Sequence, residues 1–101
     1  MEKLYSIVCR DKPDALPIRK EKLREHLAHI ENVMDRIAVA GPLYDENEKF
    51  VGSLLVVKAA SAADAQAFLA QDPYYQADIW ESVAIHHLSS VAGEWVGGKS
   101  W

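Results

Sequence analysis

The chain has 101 residues, half of them apolar and 26% charged, with 11 Lys and Arg against 15 Asp and Glu for a net charge of −4. That length suits one domain, because two would each lack a core large enough to stand alone. The acidic balance argues against a nucleic-acid partner, since phosphate binding needs clustered Lys and Arg to displace counterions.

The N-terminus, MEKLYSIVCR, has no basic segment followed by an apolar one, so no signal peptide is expected. No apolar run approaches the roughly 20 residues of a membrane helix, and a cytoplasmic protein with no membrane partner is the expectation. Leu4 to Arg10 alternates apolar and polar residues and reads as a first strand. The only cysteine, Cys9, sits in that strand, which excludes an internal disulfide or a CxxC site and reads as a buried thiol.

Asp11-Lys12-Pro13-Asp14 is turn chemistry, and Pro17 suits the first turn of a helix. The helical pattern continues to about Val39, with Leu23, Leu27, Ile30, Met34 and Ile37 on one narrow stripe. Ala40-Gly41-Pro42 is expected to end it. The basic residues Arg19, Lys20, Lys22 and Arg24 alternate with Glu21 and Glu25, which reads as a solvated helix face.

Leu43-Tyr44 and Phe50 to Val57 flank Asp45-Glu46-Asn47-Glu48, a hairpin with a polar tip. Ser61-Ala62-Ala63-Asp64 has capping-box spacing, with Asp in the last place, and opens a second helix to about Ala70. Ala65, Phe68 and Leu69 form its inward face, and Asp72-Pro73 stops it. Ile79 to Leu88 reads as the last strand, followed by a tail rich in Gly and Trp.

The order β-α-β-β-α-β is the ferredoxin-like arrangement, an α+β fold with two helices on one face of a four-stranded antiparallel sheet. Leu54, Leu55, Val56 and Val57 are apolar at consecutive positions, so both faces of that strand ask for burial. Two helices cover one face only. A homodimer packed through the other face is therefore expected.

His26 falls about 60° from the centre of the apolar stripe, with Arg19 about 40° off on the same side, while His29 at about 120° points toward solvent. A half-buried imidazole beside a cation suits proton transfer, but a boundary histidine bonded to a loop carbonyl fits the same spacing. His26 with His29 makes a poor metal pair, and the adjacent His86 and His87 point to opposite faces of a strand, so no metal is expected. Asp72 before Pro73 reads first as the standard N-cap of a short turn through Gln76, and the functional alternative is a carboxylate that orients a histidine or takes a proton itself. Gly97-Gly98-Lys99-Ser100 lacks the strand–loop–helix setting of a phosphate loop.

From about Leu4 to Leu88 the chain resembles the YciI-like family, the YCII-related domain. The resemblance rests on Arg19 ahead of His26-Leu27, on Ala40-Gly41-Pro42-Leu43, on Gly52-Ser53, and on Asp72-Pro73-Tyr74 after an Ala-rich helix with Phe68. It implies a dimeric α+β barrel and a site in the cleft between helices and sheet. The family's histidine falls on His26 and its aspartate on Asp72, a His–Asp pair, with Arg19 and Ser53 lining the cleft as substrate-binding residues. A family member is a dehydrochlorinase on a chlorinated hydroxyhydroquinone, and muconolactone isomerases share the broader fold. The implied activity is a cofactor-independent lyase or isomerase acting on a small cyclic or aromatic polar substrate. The alternative is a non-catalytic small-molecule binder or accessory dimer. Residues 1–90 form the domain, and the tail from 91 to 101 lies beyond it, expected to pack on the dimer partner.

Overall fold

Strand β1 (Lys3–Asp11) alternates as its residues demand, with Tyr5, Ile7 and Cys9 buried and Val8 and Arg10 exposed. The computed structural model describes residues 3–100, so Met1, Glu2 and Trp101 lie outside the described residues. Helix α1 (Leu16–Asn32) follows, with Pro17 in its first turn where a missing N–H costs nothing.

The helix is shorter than the spacing predicts. It stops at Asn32, a single 3-10 turn spans Met34–Arg36, and strand β2 (Ile37–Tyr44) begins at once. Met34 and Ile37 therefore leave the helical stripe, and Ala40-Gly41-Pro42 lies inside a strand rather than at a helix end. Pro42 is tolerated there because β2 is an edge strand, where an absent N–H leaves no ladder bond broken. A register shift between Ile37 and Val39 lets Ile37, Ala40 and Pro42 pair with Val57, Leu55 and Ser53.

Strand β3 (Phe50–Ala59) returns through a tip in which the Asp45 carboxylate accepts the N–H groups of Asn47 (2.8 Å) and Lys49 (3.0 Å). Those two bonds hold the Asp45 carboxyl below the usual carboxylate range. Helix α2 (Ala62–Ala70) is capped by Ser61, whose Oγ accepts the Asp64 N–H at 3.1 Å. The return half of the box reaches one residue further back, from Asp64 Oδ2 to the Ala60 N–H at 2.9 Å. Helix α3 (Pro73–Gln76) and strand β4 (Trp80–Leu88) complete the domain.

The sheet order is β2-β3-β1-β4 with every neighbour antiparallel, the split-βαβ arrangement expected. Tyr5, Ile7, Leu55 and Val57 on one face meet Phe68 and Leu69 of α2 to make the core. The opposite face carries Val8, Leu54, Val56 and Leu88 with no helix over it among the described residues; Val8 and Leu88 are exposed, while Val56 is buried. Beyond it, β5 (Ala92–Gly93) and β6 (Gly98–Lys99) pair into a small hairpin that lifts Trp95 into solvent at 83% exposure. Among the described residues no helix is long and apolar enough to cross a membrane.

Candidate active site

Arg19 lies in the first half of α1 and is only 6% exposed. A guanidinium taken out of water needs a geometrically good counter-charge, and Asp11 at the end of β1 supplies it. Nε and Nη2 donate to the two Asp11 carboxylate oxygens at 2.7 and 2.9 Å. Nη2 also donates to the Gly52 carbonyl (2.9 Å) and to Ser53 Oγ (2.8 Å). Phe50 and Tyr74 flank the guanidinium, with ring centroids 5.1 and 5.2 Å from its central carbon. Gly52 is required at this point, because a Cβ there would collide with the Cys9 carbonyl.

Two turns along α1, the half-buried His26 directs Nδ1 at Asp72 Oδ1, 2.8 Å away. Asp72 is 2% exposed, and the same oxygen accepts the Tyr74 N–H at 2.9 Å as the N-cap of α3. The two readings of Asp72 are thus compatible: one carboxylate caps a helix and holds a histidine. Tyr74 stacks on the imidazole at 4.0 Å between centroids and 11° between planes. Its hydroxyl donates to the Arg19 carbonyl at 3.2 Å, and burial pushes its phenol pKa upward. Trp80 meets Tyr74 edge-on, at 87° between planes.

Because an ionised carboxylate only accepts, neutral His26 must carry its proton on Nδ1 to make this bond. Nε2 then presents a lone pair, with no hydrogen-bond partner among the described residues. His29 turns away toward Phe68 and is half-buried, not solvated, with Nε2 buried and without a hydrogen-bond partner among the described residues. His87 packs against Tyr5 on the helix side, and His86 pairs with Ser6 on the opposite side.

A cavity of about 410 Å³ opens between α1 and the β2–β3 edge, lined by Arg19, His26 and Ser53 among apolar walls. That volume is at the small end of ligand sites. Leu23 and Leu27, expected in the core, hang over this cavity at 47% and 52% exposure. The apolar stripe of α1 is a cavity wall, and the helix meets the core through Ile18 and through Ala15 and Val33 at its two ends instead. Burial, helped by the charges of Asp72 and Asp11, pushes the Cys9 thiol up to about 12, which leaves it inert as a nucleophile.

The structure therefore brings Arg19, His26 and Ser53 to one cleft and sets Asp72 behind His26, as two hydrogen-bonded pairs joined by Tyr74. The reading from sequence missed Asp11, and with it the fact that Arg19 is already charge-balanced. The available signal was physical: a half-helix position close to the core stripe cannot hold Arg without an acid nearby. The flanking aromatics Phe50 and Trp80 gave no signal beyond their apolar character.

The family described as the YCII-related domain matches residues 3–89. Protein YciI of Escherichia coli is 33% identical over 96 residues, covering 87% of this chain and 98% of that protein. An uncharacterized protein of Haemophilus influenzae is 30% identical over 95 residues, covering 86% and 97%. Among solved structures, the 5-chloro-2-hydroxyhydroquinone dehydrochlorinase TftG of Burkholderia phenoliruptrix, complexed with 2,5-dihydroxybenzoquinone, is similar at a TM-score of 0.77 and 25% identity. The match covers 90% of this chain and 96% of that one. A NIPSNAP family protein of Agrobacterium tumefaciens, at a TM-score of 0.54 and 16% identity, shares the fold over 89% of this chain and 86% of its own.

The Arg19–Asp11 pair makes a direct prediction. Asp11→Ala leaves a buried guanidinium without its counter-charge and is expected to cost about 3–5 kcal/mol in urea unfolding. Removing both charges together, as Arg19→Met with Asp11→Leu, is expected to recover much of that loss. A single variant as stable as the parent would show that the pair is not a structural anchor.

Proposed function

We propose that this chain, which belongs to the YCII-related domain family, is a cofactor-independent lyase or isomerase that moves protons on a small cyclic or aromatic polar substrate. The observation that carries the proposal is the 2.8 Å His26–Asp72 contact at the wall of a ligand-sized cavity, with Nε2 unpaired. In this reading Nε2 takes a proton from the ring substrate, and Asp72 stabilises the imidazolium that forms. The electron pair left on the substrate then expels a leaving group, such as chloride, or collects the proton back at another carbon. Chloride leaves with the pair of the broken carbon–chlorine bond, while the carbon–hydrogen pair stays behind as the new π bond. His26 gives its proton to solvent; no oxidation state changes overall, so the reaction calls for no redox partner.

Arg19 enters this mechanism as a positioning residue rather than as a free cation, because Asp11 balances its charge. It holds the Ser53 hydroxyl, which lines the cavity and hydrogen-bonds the substrate. The similarity to TftG, a dehydrochlorinase complexed with a ring diketone, supports the same class of substrate here. The proposal includes a homodimer joined through the uncovered sheet face around Val8, with the tail from 91 to 101 packing on the partner. A cytoplasmic setting is part of it too, where the lone thiol of Cys9 stays reduced.

The test is turnover of 5-chloro-2-hydroxyhydroquinone and solvent-deuterium exchange into related hydroxylated rings and lactones. Wild type is expected to be active, and His26→Gln to be slower by about 10²–10⁴-fold with unchanged thermal stability. Wild-type protein that binds these rings yet neither exchanges nor converts them would be a binder, and the enzymatic reading would fall.

A further inference from the structure

The charges around the cavity do not balance. Arg19 and Lys20 both line it, and among the described residues no Asp or Glu does. Arg19 is answered by Asp11. Asp72 stands behind His26, its carboxylate already accepting two N–H groups. Lys20 remains. Among the described residues it has no ion pair, hydrogen bond or ring contact. Its neighbours one helical turn away are Leu16, Pro17, Leu23 and Arg24, none of them acidic. Leu16, Leu23 and Leu27 line the same mouth and are exposed. The entrance is thus an apolar wall carrying one unanswered ammonium.

We propose that Lys20 sets the specificity of this cavity, and that its ligand is a small ring bearing a single negative charge, as carboxylate, phenolate or enolate. This rests on the reading above that the cavity takes a small cyclic ligand, and it adds the charge. The ring lies against the leucines of α1 and the Pro42 and Leu55 wall opposite, with its anionic group toward Lys20 at the mouth. When His26 takes a proton from such a ligand, the negative charge that develops faces the ammonium, and among the described residues no carboxylate lining the cavity opposes it. A lysine serving only to cover the leucines with its methylene stem would show no preference for charge.

Benzoate and benzamide separate these cases, because they share a ring and differ in charge. Each is titrated into the full chain, with binding read from the amide and imidazole NMR signals of Ser53 and His26. Benzoate is expected to bind about five- to tenfold more tightly than benzamide, the range of a partly exposed ion pair. Added salt should shrink that advantage. Lys20→Met, which keeps the stem, should abolish it, and Lys20→Arg should retain it. Equal affinities in wild type, or a preference that survives in Lys20→Met, would overturn the assignment of Lys20 and leave the cavity reading standing. If neither compound at millimolar concentration moves the Ser53 and His26 signals, the cavity reading fails and this inference fails with it.

Discussion

The buried guanidinium of Arg19 is the interaction on which the site depends. It joins the end of β1 through Asp11 and the start of β3 through Gly52 and Ser53, and it lies between the rings of Phe50 and Tyr74. Its own carbonyl accepts the Tyr74 hydroxyl. Tyr74 in turn stacks on His26 and supplies the N–H that shares Asp72 with the imidazole. One desolvated cation therefore organises two strands and two helices around the histidine. Burying it is costly, and the bidentate carboxylate with two further acceptors is what makes that cost bearable.

Much of the fold was legible in the sequence because each strand faces a single helix layer. Alternation in Tyr5-Ile7-Cys9, the Ser61 cap and the Asp45 tip each has a local physical cause, and each appears in the structure. The end of α1 was not legible. Met34 and Ile37 continue the 3.6-residue period by coincidence, while the β-branched Ile37 and Val39 are better suited to a strand. Pro42 reads as a helix stop only if the strand order is unknown; on an edge strand it is harmless.

The site was legible to a different degree. Spacing placed Arg19 and His26 on one side of α1, but Asp72 is 46 residues from His26, and no local rule connects them. That pairing came from the resemblance to the YciI-like family, and its geometry from the way α3 begins beside α1. The leucine stripe shows the limit of periodicity most clearly. An apolar helix face declares that it will meet something apolar, and cannot say whether that is a core or a cavity wall. Here it is a cavity wall, which turns Leu23 and Leu27 from packing residues into parts of the site.

The central claim is that Asp72 fixes His26 with its proton on Nδ1, leaving Nε2 as a base toward the cavity. Nitrogen-15 chemical shifts of the His26 ring, read where the imidazole is neutral, test this most directly. The account predicts the Nδ1–H tautomer in wild type and its loss in Asp72→Asn, whose side chain can donate a hydrogen bond of its own. An Nε2–H tautomer in wild type, or a ring indifferent to the Asp72→Asn change, would contradict it.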